Sequence, residues 1–311
     1  MDLGNRIDFY NCTFSFLKEN QDYLWLKTRV HMGKETHCKN TTLITGSSHA
    51  LNGVDVQCFE NAINCSMHTQ DIYYDYVAAK TIIDAGNANK FSRCYIVLGY
   101  YIAFQDVSRS ENVGHSLIRK IYLPLYKDVH NWTGEIDYNL WESIPCVRDE
   151  EMRKKIEEES FGIMMRRKQY YSDLRARRSL FDFCGKEWKN ISPEAKEEYG
   201  KLRAQTHNKL KKHKESFLEN QAILLEYISF LDNMGIRPII LIPPFTDSYN
   251  KYVDREMKDS SIEMIKASGV KDLLDINDFD FFSDADFLDT DHLNARGAYK
   301  MSCILTDKYG M

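Results

Sequence analysis

Apolar positions along the chain form short unbroken runs that alternate with amphipathic stretches, and this rhythm holds at both ends of the sequence but not in its middle. A run at Leu43 and Ile44 breaks into Thr45-Gly46-Ser47-Ser48-His49, the pattern of a buried strand ending in a tight turn with a small polar residue at its tip. Residues 54–59 read as a short second strand and 61–66 as a polar loop. Between 70 and 85, Ile72, Tyr73, Tyr76, Val77, Ile82 and Ile83 recur near helical spacing, and Gly86 is placed to end that helix. The almost wholly apolar stretch 94–99 suits a central parallel strand covered on both faces. Beyond 217 the alternation resumes: Ile223, Leu224, Tyr227, Ile228 and Leu231 form a helical stripe closed by Gly235, and 238–242 form a buried strand. A helix over 256–267 then leads through Gly269 to a last strand at 273–276. A closing helix from Ala295 is expected to turn Ala298, Met301 and Ile304 inward. Residues 1–40 are mixed and aromatic, and offer an edge strand or a layer packed across the sheet.

Strands that alternate with helices predict an α/β fold with a doubly wound parallel sheet, built from residues 1–103 and 217–311. Residues 104–216 then form a helical insertion or cap. Within it, the stretch 148–216 holds 19 Lys and Arg against 13 Asp and Glu, with Tyr170, Tyr171, Phe181, Phe183 and Trp188 interleaved, and Ser192-Pro193-Glu194 reads as a helix start. Such a block is either a solvated charged face or a basic rim that attracts an anionic substrate. The acidic residues within it argue against specific nucleic-acid binding.

At 311 residues and 43% hydrophobic, the chain can bury a full core, and its net charge of -5 gives no field that selects nucleic acid or an anionic membrane. No stretch approaches the length of a membrane span and residues 1–6 carry no signal pattern, so the expectation is a soluble, cytoplasmic protein. The eight cysteines include no Cys-x-x-Cys pair, which predicts free thiols rather than a disulfide framework or a zinc knuckle.

In an open α/β sheet, ligands bind beyond the carboxyl ends of the strands. That rule makes Ser48 the candidate nucleophile, against the alternative that Ser47 or Ser48 caps a short helix starting near His49. A serine hydroxyl needs a base to take its proton, and the base needs an acceptor that fixes its tautomer. His292, in the loop before the last helix, alone among the nine histidines has an acidic residue, Asp289, three positions ahead. His49 reads as a surface turn histidine or a substrate contact, Cys65 as a small buried or loop thiol. The acidic run Asp280, Asp284, Asp286, Asp289 and Asp291 reads as a solvated loop without the order of a calcium-binding loop. No phosphate-binding or dinucleotide-binding glycine motif is present.

Gly46-Ser47-Ser48 at the end of the first core strand, with Asp289-Thr290-Asp291-His292 near the C-terminus, resembles the SGNH/GDSL hydrolase superfamily. More narrowly it is similar to the branch of the teichoic-acid D-alanyl transfer proteins and of surface-polysaccharide cluster esterases. The resemblance covers 41–103 and 217–309. It implies a flavodoxin-like three-layer α/β/α sandwich and acyl-ester chemistry without a metal or other cofactor, with Ser48 as nucleophile, His292 as base and Asp289 as its orienting partner. It further implies an acyl ester or acylated glycan as substrate. The sequence departs from the family pattern in two oxyanion blocks: 61–66 has no glycine, and Tyr101 stands where asparagine is expected. The Ser48 N–H, Asn64 and Ser66 are the remaining candidate donors, with Tyr101 and His49 as candidate substrate contacts. The competing expectation is a binding protein that keeps the fold without the chemistry.

Overall fold

A computed structural model describes residues 3–110, 113–134, 139–145, 147–167 and 179–309. They fall into two compact units, Met1–Met32 with Val107–Ser172 and Gly33–Asp106 with Asp173–Met311. The division therefore runs differently from the boundaries at 103 and 217: the N-terminal residues group with the middle of the chain, and 179–216 group with the sheet. Lys168, Tyr170, Tyr171, Arg175, Arg177, Arg178 and Cys146 lie outside the described residues.

The first unit is helical. The described residues of 1–40 hold no edge strand; they form helices Leu3–Glu19 and Gln21–Lys34. Their apolar residues pack inward, with Phe16 stacked on Trp141 at 4.4 Å and Arg29 buried over the Trp25 ring. Glu157, on the helix Glu150–Arg167, accepts from Tyr23 Oη at 2.7 Å and from Lys27 Nζ at 2.6 Å.

The second unit is built on five parallel strands: β1 (Thr41–Gly46), β2 (Ala62–Asn64), β3 (Phe91–Val97), β4 (Arg237–Ile242) and β5 (Asp272–Asp275). Their order is β2-β1-β3-β4-β5, the flavodoxin-like order. The second strand lies at 62–64 and not at 54–59, where the chain makes only a 3₁₀ turn over Val56–Cys58. β1 pairs with it through Thr42, Leu43 and Ile44. The residues of this edge strand are few and polar at their end, so hydropathy concealed it in what read as a loop.

Among the described residues, longer helices accompany the sheet: α1 (Ser48–Gly53), α2 (Ile72–Ile83), α3 (Pro193–Asn208), α4 (Lys214–Asn233), α5 (Arg255–Ala267) and α6 (Ala295–Tyr309). On one face α4 packs against α2 and α5, and Tyr227 Oη meets Thr45 Oγ1 at 3.1 Å and Cys94 Sγ at 3.3 Å. On the other face α1 and α6 cover a core that joins Ile44, Tyr95, Val97, Ile239, Leu241 and Leu274 to Met301 and Leu305. The result is a three-layer α/β/α sandwich. On α6 it is Leu305, rather than Ile304, that completes the buried face with Ala298 and Met301. Helix ends follow local chemistry: Asp71 and Asp254 cap α2 and α5, Ser192 caps α3 ahead of Pro193, and Gly86, Gly235 and Gly269 follow α2, α4 and α5 with positive φ. Phe183 and Trp188, expected in the charged block, instead join the core beside α6. No helix among the described residues is long and apolar enough to cross a membrane.

Gly46 makes the turn out of β1. Its φ is +141°, and an added Cβ would stand 2.7 Å from the Val97 carbonyl oxygen and 2.9 Å from Ala50 Cβ. Gly46→Ala is therefore expected to cost about 2–3 kcal/mol, read as a fall in chemical-denaturation midpoint. Asp75, on α2, is buried with one oxygen bonded to Gln70 Nε2 at 2.7 Å and the other without a hydrogen-bond partner among the described residues. Burial pushes its carboxyl up to about 8, opposed by the Gln70 bond. A carboxyl that keeps its proton only when folded loses stability as pH rises from about 4 to about 8. Asp75→Asn should then raise the melting temperature at pH 8 and leave it nearly unchanged at pH 4.

Candidate active site

The strand order reverses between β1 and β3, each leading away to an opposite side of the sheet, and in open α/β sheets ligands bind beyond the carboxyl ends of the strands at such a point. Ser48 sits there as the first residue of α1, so its N–H has no intrahelical acceptor. The loop before α6 reaches the same place. It is folded on itself by the Phe287–Leu293 bridge and by Leu288 N–H donating to the His292 carbonyl at 2.8 Å. Thr246, just beyond β4, ties it down through its hydroxyl to the Thr290 carbonyl at 2.7 Å.

These constraints bring Ser48, His292 and Asp289 together. His292 Nε2 lies 2.8 Å from Ser48 Oγ, and Nδ1 lies 3.0 Å and 3.3 Å from the two oxygens of Asp289. Asp289 is held by backbone donors: Oδ1 accepts from the N–H of Asp291 and His292, and Oδ2 from the N–H of Leu180 at 3.0 Å. With Nδ1–H directed at a carboxylate, Nε2 is the acceptor facing the serine hydroxyl. Ser48 is 8% exposed and its two partners no more than 1%.

A second layer of charge surrounds this chain. Asp291 Oδ2 takes Arg203 Nε, from α3, at 2.9 Å and faces His49 Nε2 at 3.4 Å; Oδ1 stands 3.6 Å from His292 Nδ1. His49 is therefore no surface histidine: it is 2% exposed and stacked on His292, with ring centroids 4.9 Å apart and planes within 13°. Its Nδ1 faces Ser47 Oγ at 3.3 Å and Tyr101 Oη at 3.4 Å. Tyr101 stacks on His207, whose Nδ1 meets Tyr249 Oη at 2.7 Å. The acidic run is not a solvated loop either. Asp286, Asp289 and Asp291 are buried, and Asp284 binds Lys196 and the Trp188 indole. Asp286 is paired with Arg296 and Lys300.

Burial pushes the His292 imidazole down, but Asp289 and Asp291 outweigh it and hold the group above its ordinary value. His49 and His207 are held below theirs, first by burial and then by neighbouring positive charge, His292 for the one and Arg203 for the other. Burial opposes ionisation of Asp291, yet Arg203, His292 and His49 keep it well below the usual carboxylate range.

The remaining sequence candidates divide. Asn64 braces the neighbouring turns, with Nδ2 donating to the Ala50 carbonyl at 3.2 Å and Oδ1 accepting the Ser66 N–H at 3.0 Å. The N–H groups of Cys65 and Met67 are likewise taken, by the carbonyls of Ile44 and Gly46. The Ser66 hydroxyl is fully buried with no partner among the described residues. Cys65 is fully buried. His49, Asp291 and His292 offer ligand atoms within 4.8 Å of one another, but the Arg203 guanidinium already neutralises the one carboxylate, so the donor set suits an ion pair better than a dication.

No protein-family model matches the chain, and no curated protein matches it. What the site can do is argued from its own geometry. The residues that reading the sequence passed over are Arg203 and His207, lost among the charges of 148–216, and Asp291, grouped with the acidic run. Only the two-residue offset of Asp291 from Asp289, which turns both toward the same histidine, carried a signal.

The sign of the His292 shift sets a titration. A raised folded value adds stability below about 6.5 and loses it as pH rises through the folded value. Followed by imidazole NMR, His292 is expected to titrate above the ordinary histidine value while His207 stays neutral below it, and Asp289→Asn should bring His292 down.

Proposed function

We propose that the chain is a serine esterase or O-acyltransferase of SGNH type that works through an acyl-enzyme on Ser48. The observation that carries this reading is the continuous hydrogen-bond chain Ser48–His292–Asp289, with the 2.8 Å step between hydroxyl and imidazole. In the first half-reaction Ser48 Oγ attacks the ester carbonyl as His292 Nε2 takes its proton. The tetrahedral intermediate collapses, and His292 returns that proton to the leaving alcohol. In the second, water or a sugar hydroxyl gives its proton to His292 as it attacks the acyl carbonyl, and the tetrahedral intermediate collapses as His292 returns that proton to Ser48 Oγ. Water makes the protein an esterase; a sugar hydroxyl makes it a transferase. Asp289 keeps the imidazole in the tautomer both halves need, and the three N–H donors on that carboxylate stop it from turning away. The Ser48 N–H is the first oxyanion donor. Carbohydrate esters are the proposed substrate class on the strength of the Gly-Ser-Ser and Asp-x-x-His resemblance.

A second reading, a binding protein on a hydrolase scaffold, draws on the N–H groups of Cys65, Ser66 and Met67, each of which already has an acceptor within the protein. A missing oxyanion donor weakens transition-state binding by about 2.7–4 kcal/mol. Labelling with a fluorophosphonate separates the two. Acylation reads as a stoichiometric adduct on Ser48, absent in Ser48→Ala and slowed at least about 100-fold in His292→Ala. An unlabelled but folded wild-type protein would remove the enzyme reading.

A further inference from the structure

Two carboxylates face the His292 imidazole, where one suffices to orient it. Asp289 lies 3.0 Å from Nδ1 and is bound by three backbone N–H groups; Asp291 lies 3.6 Å from the same nitrogen and is bound by the guanidinium of Arg203 at 2.9 Å. Both are buried, and Arg203 comes from α3, a helix that the resemblance to hydrolases does not cover.

We propose that Arg203 is a positioning residue for the base: by holding Asp291 it prevents the second carboxylate from competing with Asp289 and with Ser48 for the imidazole and its proton. This inference rests on the acyl-enzyme reading for its catalytic meaning, but its physical content is a coupling that can be measured without turnover. An unclamped Asp291 has two imidazoles within 3.6 Å, His292 and His49, and pairs with a protonated one of either. A protonated His292 cannot accept the Ser48 proton. With Arg203 in place, the charge of Asp291 is offset in part, and His292 keeps Nδ1–H on Asp289 and Nε2 on Ser48.

The charged and titratable groups around His292 come from every side: Asp289 and Asp291 from its own loop, His49 from α1, and Arg203 and His207 from α3. Arg203 is the only fixed cation of that set, so its removal has a definite sign. The base becomes harder to deprotonate, and the shift reverses when Asp291 loses its charge as well.

The test is imidazole NMR of His292, assigned with His292→Gln, in the full-length protein and its variants, beside the pH dependence of fluorophosphonate labelling at Ser48. In Arg203→Gln the His292 midpoint should rise by about one unit, and the acid limb of the labelling profile should move up with it. In Arg203→Gln/Asp291→Asn both should return toward wild type, and Asp291→Asn alone should lower the midpoint. Should Arg203→Gln fail to fold, Asp291→Asn carries the test by itself. An unmoved midpoint in the folded variants overturns the proposal, as does a double variant no different from Arg203→Gln. Midpoints that move as stated in a protein that never labels would support the electrostatic coupling and overturn the acyl-enzyme reading instead.

Discussion

The way the chain leaves β1 constrains everything at the site. Gly46 must hold a positive φ against the Val97 carbonyl and Ala50, and only that geometry lets α1 begin at once with Ser48 at its first position. A side chain there would push β1 from β3, and β3 carries Tyr101 on the turn that follows it. The glycine thus sets the places of both Ser48 and Tyr101. The loop before α6 is the second anchor. Its Asp289 carboxylate is fixed by its own backbone, and that fixes the direction of the His292 ring.

The fold was legible where the physics is local. Buried parallel strands are continuous apolar runs, and β1, β3 and β4 read as such; helix caps at Ser192 and Gly235 announced themselves in residue type. β2 escaped because an edge strand of three residues needs little apolar surface and ends in a polar side chain, Asn64. The N-terminal helices escaped because aromatic residues at irregular spacing fit helix or strand alike.

The site was legible for a similar reason. Asp289 and His292 are three residues apart on one loop, and their pairing is local; Ser48 follows from a turn signature. His49 was misread because its burial is decided by Phe245 and His292, far away in sequence. Arg203 carried no local mark at all. It is one of many basic residues in a stretch where others serve ordinary surface pairs, such as Lys211 with Asp254 and Lys155 with Glu151.

Two buried carboxylates within 4 Å of one imidazole raise a question of balance. A unit charge at that distance acts with an energy on the order of 4 kcal/mol at an effective dielectric of about 20, enough to keep a histidine protonated through neutral pH. The protein treats the two differently. Asp289 is stabilised by backbone dipoles, which leave its charge available to the imidazole; Asp291 is stabilised by a full positive charge, which offsets part of its pull on the same ring. The same imidazole can then be basic enough to accept a proton and still be free to do so. That division of labour requires α3 to lie on the sheet unit, where Gly200 permits backbone contact with Ser248: an added Cβ would stand only 2.4 Å from its carbonyl group. The charged middle of the chain supplies the cation that two buried carboxylates beside one imidazole demand.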